Sequence, residues 1–561
     1  MEKRIWHRSY DEGVEAEIDF QDIPITGWLS RSARLYPDRP AVVFMNCRMT
    51  YSQLDEQVDR LATALAGMGV GRGTSVAIHL PNLPQTVISF FAVQRLAARA
   101  VMTNPLYVPR EIEHQFKDAV VEVAITADFL WERHLRGMRK SLPVREYIVA
   151  SIPEYLRFPL NLLAPLKLKS MDPPSIAKVE ASDGVHLFRK LVDTTPPALP
   201  EVEHSMDDVA CIQYTGGTTG VSKGAELTQR NISYNAQQVM TWFRGIREGE
   251  EVLLSCLPFF HIFGLTVCMV WPALGGACMV LMPNPRDIPT MVKNISKEKV
   301  SLFPALPALF NAINQFPGIE KRDLSSVRYC FSGSAPLPEE VQRKFETLTG
   351  AIIVEGFGLT ETSPVLTVNP LNGVRKIGTI GIPVPETDVR IVDPVDGTTE
   401  VPVGTEGELV ARGPQVMKGY LNRPEETADM VRDGWLHTGD LAVADEDGYL
   451  RIVGRMKDLI IAGGYNIFPD EIDRVLAEHP AVLEACTIGI PDEKRGETVK
   501  SFLVLDKGGS VSEAELAEFC RERLAAYKVP KFWEFRDELP KSAMMKLLRR
   551  ELRAQEIAKN A

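Results

Sequence analysis

The sequence has no cysteine or histidine pattern typical of a zinc site. It contains eight cysteines in 561 residues, and no two of them form a Cys-x-x-Cys pair or cluster with histidines. Cysteines scattered through apolar runs favour reduced thiols in a cytoplasmic protein over a metal-binding or disulfide-bonded one. Residues 1–19 mix acids and bases without a central apolar run, so we expect no signal peptide.

An excess of positive charge is also missing. The chain has 63 Lys and Arg against 74 Asp and Glu, a formal net charge of -11. A nucleic-acid partner is therefore disfavoured, because such binding depends on basic residues that neutralise phosphates. The composition, 45% hydrophobic and 24% charged, is that of a globular protein, and the length predicts at least two domains.

One long stretch, 252–285, contains no Asp, Glu, Lys or Arg. Within it, residues 262–282 are long enough to span a bilayer. Pro272 and the pair Gly275-Gly276 divide this run into a helix-sized piece and a strand-sized piece, 277–282. We therefore predict a buried helix–turn–strand unit in place of a membrane span.

Alternating helix and strand patterns over residues 20–130 predict a largely parallel, doubly wound sheet. A helix is predicted after Ser52, which together with Asp55 forms an amino-terminal capping signature. The apolar face of this helix consists of Leu54, Val58, Leu61 and Leu65. A strand predicted over 76–80 ends at Pro81.

Residues 152–169 interleave leucines and Phe158 with the cations Arg157, Lys167 and Lys169. Two interpretations remain open at this point. The segment is either an amphipathic element that lies on the inner face of a membrane or a basic-rimmed loop packed on its own domain.

The stretch 214–224 reads Tyr-Thr-Gly-Gly-Thr-Thr-Gly-Val-Ser-Lys-Gly and follows the apolar run 209–212. Its glycines allow a sharp turn with exposed N–H groups, its threonine hydroxyls add donors, and Lys223 adds a positive charge. This is the chemistry of a loop wrapped around a polyphosphate, although no Gly-Lys-Ser/Thr follows at the Walker spacing. A flexible surface turn is the alternative.

This loop is similar to the phosphate-binding signature of the AMP-forming acyl-CoA synthetase superfamily, Tyr-Thr-Ser/Gly-Gly-Thr-Thr-Gly-x-x-Lys-Gly. Further segments resemble that family in the same order along the chain. They are Ser332-Gly-Ser-Ala-Pro336, Glu355-Gly-Phe-Gly-Leu-Thr-Glu361, Asp433-Gly-Trp-Leu-His-Thr-Gly-Asp440, Gly454-Arg-Met-Lys-Asp458 and Pro540-Lys-Ser-Ala-Met-Met-Lys546. Two others, 104–114 and 284–289, are similar to bacterial long-chain fatty acid–CoA ligases.

The resemblance implies an α/β fold with a large N-terminal adenylate-forming region and a small mobile α+β C-terminal domain. The large region would contain doubly wound sheets and a small β-barrel-like part. Its expected extent is residues 1–454, for binding AMP and the acyl group, and the C-terminal domain is expected at 455–561 with a hinge near Lys457. The implied reaction activates a fatty acid with ATP to acyl-AMP and then transfers it to CoA, releasing AMP and pyrophosphate.

The resemblance also implies roles for individual residues. Those expected at the chemistry are Lys546, Glu361, Thr360 and His261, and Glu361 is also expected to hold Mg2+. Those expected around the ATP phosphates are Thr215, Gly216, Gly217, Thr218, Thr219, Gly220 and Lys223. Those expected around the adenine are Gly333, Ser334, Ala335, Pro336, Glu355, Gly356, Phe357 and Gly358. Those expected at the ribose, the hinge and the thioester-forming site are Asp440, Arg455, Lys457, Gly463 and Gly464.

The residue types suit these roles. Small residues at a strand end let a flat ring approach the backbone, and Phe357 offers a face for stacking. Glu361 is a hard oxygen ligand of the kind magnesium prefers, and the carboxylate of Asp440 can accept hydrogen bonds from two ribose hydroxyls. A packed core histidine at 261 and a turn aspartate at 440 are the structural alternatives.

Two positions depart from the family pattern. Phe357 stands where the family more often has tyrosine, which keeps the stacking face but loses the hydroxyl. Met545 replaces the glycine that usually precedes the lysine at 546. Because of Met545, a nucleotide- and lipid-binding protein without activity remains an alternative to an enzyme.

The expected partners are a fatty acid, ATP and CoA as co-substrate, with Mg2+ and without nucleic acid. Amino-acid-activating relatives place an aspartate in the region of 252–285, so its absence here disfavours an amino-acid substrate. Aryl or medium-chain acids, and a carrier protein in place of CoA as acceptor, stay open. A cytoplasmic location is expected, and contact with the inner face of a membrane and a homodimer also stay open.

Overall fold

The computed structural model describes residues 4–215, 222–462, 465–492, 495–506, 509–542 and 546–560. The chain divides into two compact units. Unit 1 comprises residues 1–388 and 412–434, and unit 2 comprises residues 389–411 and 435–561. This division by compactness does not test the functional boundary predicted at 454/455, which stays a prediction.

The helices are distributed along the whole chain. They are α1 (Ile25–Leu35), α2 (Tyr51–Gly67), α3 (Pro84–Arg95), α4 (Pro109–Asp118), α5 (Asp128–Leu130), α6 (Arg136–Met138), α7 (Leu160–Lys169), α8 (Phe188–Thr194), α9 (Gln229–Trp242), α10 (Ile262–Leu265), α11 (Trp271–Gly275), α12 (Ile288–Glu298), α13 (Pro307–Asn314), α14 (Glu339–Thr349), α15 (Pro424–Met430), α16 (Pro469–Ala477), α17 (Glu513–Arg521) and α18 (Arg549–Asn560).

The strands are mostly short. They are β1 (Pro40–Phe44), β2 (Cys47–Thr50), β3 (Ser75–His79), β4 (Arg99–Met102), β5 (Val121–Ala127), β6 (Glu146–Ala150), β7 (Val185–Leu187), β8 (Val209–Thr215), β9 (Lys223–Thr228), β10 (Val252–Ser255), β11 (Cys278–Leu281), β12 (Leu302–Ala305), β13 (Tyr329–Ser332), β14 (Ile352–Gly358), β15 (Val365–Val368), β16 (Ile382–Pro383), β17 (Asp388–Val392), β18 (Gly407–Arg412), β19 (Gly419–Tyr420), β20 (Val431–Arg432), β21 (Trp435–Ala444), β22 (Leu450–Arg455), β23 (Ile460–Ala462), β24 (Tyr465–Ile467), β25 (Val482–Asp492), β26 (Gly496–Leu505) and β27 (Phe532–Phe535).

Two large sheets form the framework of unit 1. One has the strand order β16-β15-β14-β13-β12-β10-β11-β1-β2, and the other has the order β19-β9-β8-β4-β3-β5-β6-β7. Their central strands are parallel, and antiparallel pairs occur only towards the edges, as at β14–β15 and β8–β9. Because crossover helices cover both faces of such sheets, every residue of β3 is buried. The predicted doubly wound α/β architecture is confirmed.

Unit 2 contains two smaller sheets. Strands β18 and β22 both pair antiparallel with β21, and β17 extends this half-barrel-like sheet beyond β18. The second sheet has the order β24-β23-β26-β25, with β27 parallel to β26. Helices α16 and α17 pack on it through a core that includes Ile472, Leu476 and Leu516. The small α+β domain predicted at the C-terminus is therefore present.

Helix α2 confirms one prediction and corrects another. The side chains of Leu54, Val58, Leu61 and Leu65 are fully buried, as their spacing predicts. The amino-terminal cap, however, is Thr50 and not Ser52. The Thr50 hydroxyl accepts from the N–H of Gln53 at 3.3 Å, and the Gln53 side chain accepts from the N–H of Thr50 at 3.0 Å. Glutamine completes this capping box as well as glutamate does.

The uncharged stretch 252–285 forms the predicted buried helix–turn–strand unit. Helix α10 continues through a π-helical turn, Thr266–Val270, into α11. Gly276, with φ 66°, then reverses the chain into β11, where every residue is buried. Among the residues described, no helix is both long and apolar enough to cross a membrane.

All eight cysteines are free and buried. Loss of hydration raises the pKa of Cys256 and Cys278 to about 12, and that of Cys520 to about 11. These side chains are therefore protonated at neutral pH and behave as small apolar groups.

Candidate active site

Two predicted adenine-binding segments lie side by side at the carboxyl ends of β13 and β14. The strands are parallel neighbours, with Ser332 opposite Glu355 in their register. Residues 333–336 leave β13 at this end, and Ala335 and Pro336 are exposed. The turn thus offers small side chains beside the end of the next strand, as the sequence predicts for a surface that admits a flat ring.

A hydrogen bond joins these two segments. The N–H of Leu337 donates to the Glu355 carboxyl group at 3.1 Å. Burial raises the pKa of Glu355 to about 8, and the same hydrogen bond opposes the rise. The group is therefore mostly protonated at neutral pH, so this end of the sheet does not add a negative charge that would repel a nucleotide.

The backbone comes unusually close to itself after β14. A Cβ atom at Gly358 would lie 1.8 Å from the carbonyl oxygen of Pro364. Only glycine fits such an approach. The fold thereby directs the following residues, Thr360 and Glu361, into a tight turn at the strand end.

Thr360 and Glu361 lie on a short 3-10 helix, Thr360–Thr362, in which Glu361 is buried. The Glu361 carbonyl oxygen accepts from the N–H of Met417 at 2.8 Å. On the other side, the Thr266 hydroxyl donates to the carbonyl oxygen of Ser363 at 2.7 Å. The turn is thus held by two separate parts of unit 1.

Tyr420 is a site residue that the sequence did not reveal. Its hydroxyl donates to Oε1 of Glu361 at 2.5 Å. Burial, and then the negative charge of Glu361, raise the pKa of Tyr420, so the phenol keeps the proton that it donates. Strand β19 brings Tyr420 here by pairing with β9, a contact across almost 200 residues that no local pattern encodes.

Lys223 lies on the same side of Tyr420. Its ammonium nitrogen is 5.3 Å from the centre of the Tyr420 ring and forms an ion pair with Glu426. Lys223, Tyr420 and Glu361 therefore form one connected cluster of a cation, a phenol and a carboxylate. Glu426 was also missed, because a glutamate in a helical stretch carries no signature of its own.

The predicted phosphate loop connects two antiparallel strands. Thr215 ends β8 and pairs with Lys223 at the start of β9. Gly216, Gly217, Thr218, Thr219 and Gly220 lie outside the described residues. The hairpin places both ends of the loop, Thr215 and Lys223, at the cluster formed with Tyr420.

His261 caps the amino terminus of α10. Its Nδ1 accepts from the N–H of Phe263 at 3.3 Å, and the Gln213 side chain of β8 donates to the neighbouring carbonyl oxygen of Phe260. A Cβ at Gly333 would lie 3.1 Å from the Phe263 ring. The histidine segment is thus packed between β8 and the predicted adenine turn.

Asp440 and Arg455, the two predicted ribose residues, form an ion pair in unit 2. They face each other across β21 and β22, with Nε of Arg455 2.7 Å from Oδ1 of Asp440. Burial raises the pKa of Asp440, and Arg455 opposes the rise. The second oxygen, Oδ2, is buried and has no hydrogen-bond partner among the described residues. Such an oxygen is suited to accept from a ligand hydroxyl.

Lys546 lies close to this ion pair. The residue as a whole is exposed, but its ammonium group lies among charged side chains of unit 2. Loss of hydration lowers the pKa of Lys546 to about 8, with a further contribution from Arg455, while Asp440 opposes it. A lysine with a pKa near neutrality, beside two residues predicted to bind a sugar, is characteristic of a functional site.

The predicted hinge residue, Lys457, lies in a 3-10 turn, Met456–Asp458. Arg553 of α18 donates to the carbonyl oxygens of Lys457 and Asp458, both at 3.1 Å, and to Oδ1 of Asp458 at 3.0 Å. These hydrogen bonds hold α18, the helix that follows Lys546, against the hinge segment. Gly463, Gly464 and Met545 lie outside the described residues.

The predicted residues fall into two groups. Unit 1 brings together the turn after β13, the end of β14, Thr360 with Glu361, and both ends of the phosphate loop. Unit 2 brings together Asp440, Arg455 and Lys546. In the described part of the chain, no three side chains among His, Cys, Asp and Glu cluster as a metal site. Glu361 with Thr360 nevertheless fits Mg2+, which binds one or two carboxylates together with substrate phosphates.

Comparisons with known proteins agree over nearly the whole chain. A family model described as AMP-binding enzyme matches residues 29–421, and one described as AMP-binding enzyme C-terminal domain matches residues 471–546. The curated long-chain-fatty-acid--CoA ligase of Bacillus subtilis (strain 168) is 42% identical over 554 residues, covering 98% of this chain and 98% of that protein.

Solved structures agree as well. The anthranilate CoA ligase AuaEII, in complex with anthranoyl-AMP, superposes with a TM-score of 0.85 at 27% identity and covers 97% of this chain and 99% of its own. ATP-bound MatB from Rhodopseudomonas palustris superposes with a TM-score of 0.82 at 28% identity and covers 95% of this chain and 99% of its own.

Proposed function

Because the chain belongs to the AMP-binding enzyme family, we propose that it is a long-chain fatty acid–CoA ligase. The reaction class is that of an AMP-forming acid–CoA ligase, with ATP and CoA as substrates. The observation that supports the chemistry best is the ion pair of Asp440 and Arg455, in which Oδ2 of Asp440 is buried without a hydrogen-bond partner among the described residues. Lys546, whose pKa is lowered to about 8 by loss of hydration, interacts electrostatically with both members of this pair.

We infer nucleotide contacts in each unit separately. In unit 1, the turn 333–336 and Phe357 would contact the adenine. A ribose hydroxyl would donate to the unpartnered Oδ2 of Asp440, while Arg455 holds Oδ1. Thr215, Lys223 and the loop between them would surround the β- and γ-phosphates. Lys223 would then exchange its ion pair with Glu426 for the phosphates.

Glu361 and Thr360 would hold Mg2+ at the phosphates. When bound, the metal would supply positive charge against the charge of the polyphosphate. Tyr420 would fix the Glu361 carboxylate by donating to Oε1. The role of Tyr420 is that of a positioning residue, because it acts through Glu361.

The proposed first step joins two anions. A carboxylate oxygen of the fatty acid attacks the α-phosphorus, the bond to the bridging oxygen breaks, and pyrophosphate leaves. The barrier is largely charge repulsion, so preorganised positive charge is the effective catalyst. Lys546 would supply that charge by contacting both the carboxylate and an α-phosphate oxygen.

In the second step, the CoA thiolate attacks the acyl carbonyl carbon, and AMP leaves with the electrons of the broken anhydride bond. Rotation near Lys457 would replace Lys546 by Gly463 and Gly464. His261 would lie beside the acyl group. The walls of the acyl site would come from the buried, uncharged stretch 252–285, which offers no partner for a substrate ammonium.

A long acyl chain is the substrate that this apolar stretch and the Bacillus subtilis relative favour. Burying each further methylene contributes about 0.8 kcal/mol, so kcat/KM should rise with chain length until the site is filled. Aryl acids, and a carrier protein as the acceptor, are the alternatives.

Pyrophosphate exchange with a panel of acids, followed by thioester formation with and without CoA, tests the proposal. We expect exchange and thioester formation with long-chain acids, and low rates with acetate, amino acids and hydroxycinnamates. A maximum at acetate or at an aryl acid would contradict the substrate class. Exchange without thioester would indicate a different acceptor, and the absence of both would support a protein without activity.

A further inference from the structure

Helix α7 is apolar but has no buried residue. Its ten residues include five leucines, and none is buried in unit 1. Leu162, Leu163 and Leu166 are 63%, 54% and 70% exposed, and Phe158 just before the helix is 76% exposed. Leu160, Ala164, Pro165 and Leu168 are half-buried, so the three exposed leucines and Phe158 form an apolar surface on the outer side of the segment. A contiguous exposed apolar surface of this kind is characteristic of a site that binds a protein or a membrane.

The charged residues between Glu154 and Asp172 are all positive. From residue 155 to residue 171 there is no Asp or Glu, while Arg157, Lys167 and Lys169 are exposed. Within the described part of the chain, neither Lys167 nor Lys169 forms an ion pair. The positive charge of residues 155–171 contrasts with the net charge of -11 of the whole protein.

The segment is attached to the folded core at its start. The Asn46 side chain donates to the carbonyl oxygen of Arg157 at 2.7 Å and accepts from the N–H of Arg157 at 3.0 Å. Met45, next to Asn46 in the turn between β1 and β2, is itself 48% exposed. The exposed apolar surface thus continues onto the turn of a sheet and is held in place by it.

We propose that the surface formed by Met45, Phe158 and α7 docks on an anionic lipid bilayer. The leucines and Phe158 would enter the boundary between headgroups and acyl chains, and Arg157, Lys167 and Lys169 would contact acidic headgroups. Ten helical residues span about 15 Å, so α7 lies on the bilayer and does not cross it. This inference rests on the proposed function, since long-chain acids partition into bilayers and docking would bring the enzyme to its substrate.

A second copy of the chain fits this surface less well. In a two-fold interface each patch meets its own copy, so the three cations of one chain would approach the same three cations of the other. Like charges brought together without counter-charges weaken an interface. Acidic headgroups, in contrast, complement both the apolar and the positive parts of the surface.

Cosedimentation of the full-length protein with vesicles tests the docking. We expect binding to vesicles of phosphatidylcholine mixed with phosphatidylglycerol, and much weaker binding to phosphatidylcholine alone. The double variant L162D/L166D should lower the partition coefficient at least tenfold. The control V395D/V403D adds the same two charges at exposed valines in turns of another region and should bind as wild type does.

A second pair of variants separates charge from apolar contact. K167Q/K169Q should lose most of the preference for phosphatidylglycerol, whereas K293Q/K344Q, which neutralises two exposed lysines elsewhere, should keep it. Circular dichroism and thioester formation from acid presented on a soluble carrier should be unchanged in L162D/L166D, which excludes unfolding.

Each outcome bears on the inference. Equal vesicle binding by wild type and L162D/L166D, or no binding by the wild type, would overturn it even if the protein is an active ligase. A dimer in sedimentation equilibrium that L162D/L166D dissociates would assign the surface to a second copy and also overturn it. Vesicle binding by a protein without ligase activity would instead leave the docking in place and remove the proposed function.

Discussion

At the scale of single residues, the hydrogen bond from Tyr420 to Glu361 leads to a prediction about magnesium. Tyr420→Phe removes only the hydroxyl, so the Glu361 carboxylate loses the contact that orients it. Hydrogen bonds to charged groups contribute about 1.5–3 kcal/mol. We expect the magnesium concentration for half-maximal rate to rise several-fold and kcat to fall roughly tenfold, on the scale of that energy. Both are measured by titrating the metal in a thioester assay.

Tyr51→Phe is the matched control for this variant. The Tyr51 hydroxyl is fully buried and donates to the carbonyl oxygens of Pro272 and Ala277 at 3.1 and 2.7 Å. Removing it should lower the thermal midpoint and leave the magnesium dependence unchanged. If Tyr420→Phe behaved in the same way as Tyr51→Phe, its hydroxyl would be structural only.

The lowered pKa of Lys546 gives a pH dependence. The charged form is needed to offset carboxylate–phosphate repulsion, and this form is lost as the pH rises through about 8. In pyrophosphate exchange, kcat/KM for ATP should therefore be constant below that pH and fall above it, because this parameter reports the free enzyme. CoA is absent from this assay, so its thiol does not contribute.

Lys546→Ala tests the same assignment. It should lower pyrophosphate exchange at least about a hundredfold, in the range seen for a lost oxyanion donor, and should abolish the fall in rate at high pH. Thioester formation from preformed acyl-AMP should stay near the wild-type rate. Equal losses in both half-reactions would contradict the proposed rotation near Lys457, which removes Lys546 before the second step. No loss in either would mean that Lys546 is an ordinary surface lysine.

At the scale of elements, the amino-terminal cap of α2 differs between the structure, where it is Thr50, and the prediction from the sequence, where it is Ser52. Thr50→Ala removes the acceptor for the N–H of Gln53 and should lower the free energy of unfolding by about 1 kcal/mol. Ser52→Ala changes an exposed residue inside the helix and should alter it by no more than a few tenths of a kcal/mol. Urea unfolding followed by circular dichroism measures both, and the reverse order would show that Ser52 is the cap.

The elements also show what could be predicted from the sequence. The buried face of α2 and the strand β3 could be predicted, because the apolar pattern of each one extends over several neighbouring residues. The turn 333–336 and the end of β14 were predicted because each motif lies within a short stretch. Tyr420 and Glu426 could not be predicted, because they reach Glu361 and Lys223 only through the pairing of β19 with β9.

The segment 152–169 lies between these cases. Its mixture of leucines and cations left a membrane-surface element and a packed loop open, and composition alone could not separate them. The structure buries Ile152, Tyr155 and Leu156 and then forms a helix over Leu160–Lys169 with no buried residue, so the start of the segment packs on its own domain and the helix lies at the surface. The decisive quantity was exposure, which depends on the surrounding fold and not on the local pattern.

At the scale of the whole molecule, Arg553 links the helix after Lys546 to the proposed hinge. It donates to the carbonyl oxygens of Lys457 and Asp458, so Arg553→Gln should loosen the position of Lys546. We expect pyrophosphate exchange to fall several-fold, with a smaller effect on thioester formation from preformed acyl-AMP. Stopped-flow measurement of each half-reaction checks the ratio between them.

Arg521→Gln provides the control for this variant. Arg521 forms its ion pair with Glu518 of its own helix α17, so its loss should change neither half-reaction. Equal decreases in both half-reactions for Arg553→Gln, together with a lower thermal midpoint, would mean that Arg553 only stabilises the C-terminal domain.

The burial of all eight cysteines leaves the molecular surface without a native thiol that a maleimide can reach. A dye can therefore be attached at one introduced cysteine, such as V395C, without first removing the natural ones. Two such positions, one in each compact unit, would report distance changes during turnover by energy transfer. The same burial should protect the thiols from oxidants in solution, so stored preparations should need no reducing agent.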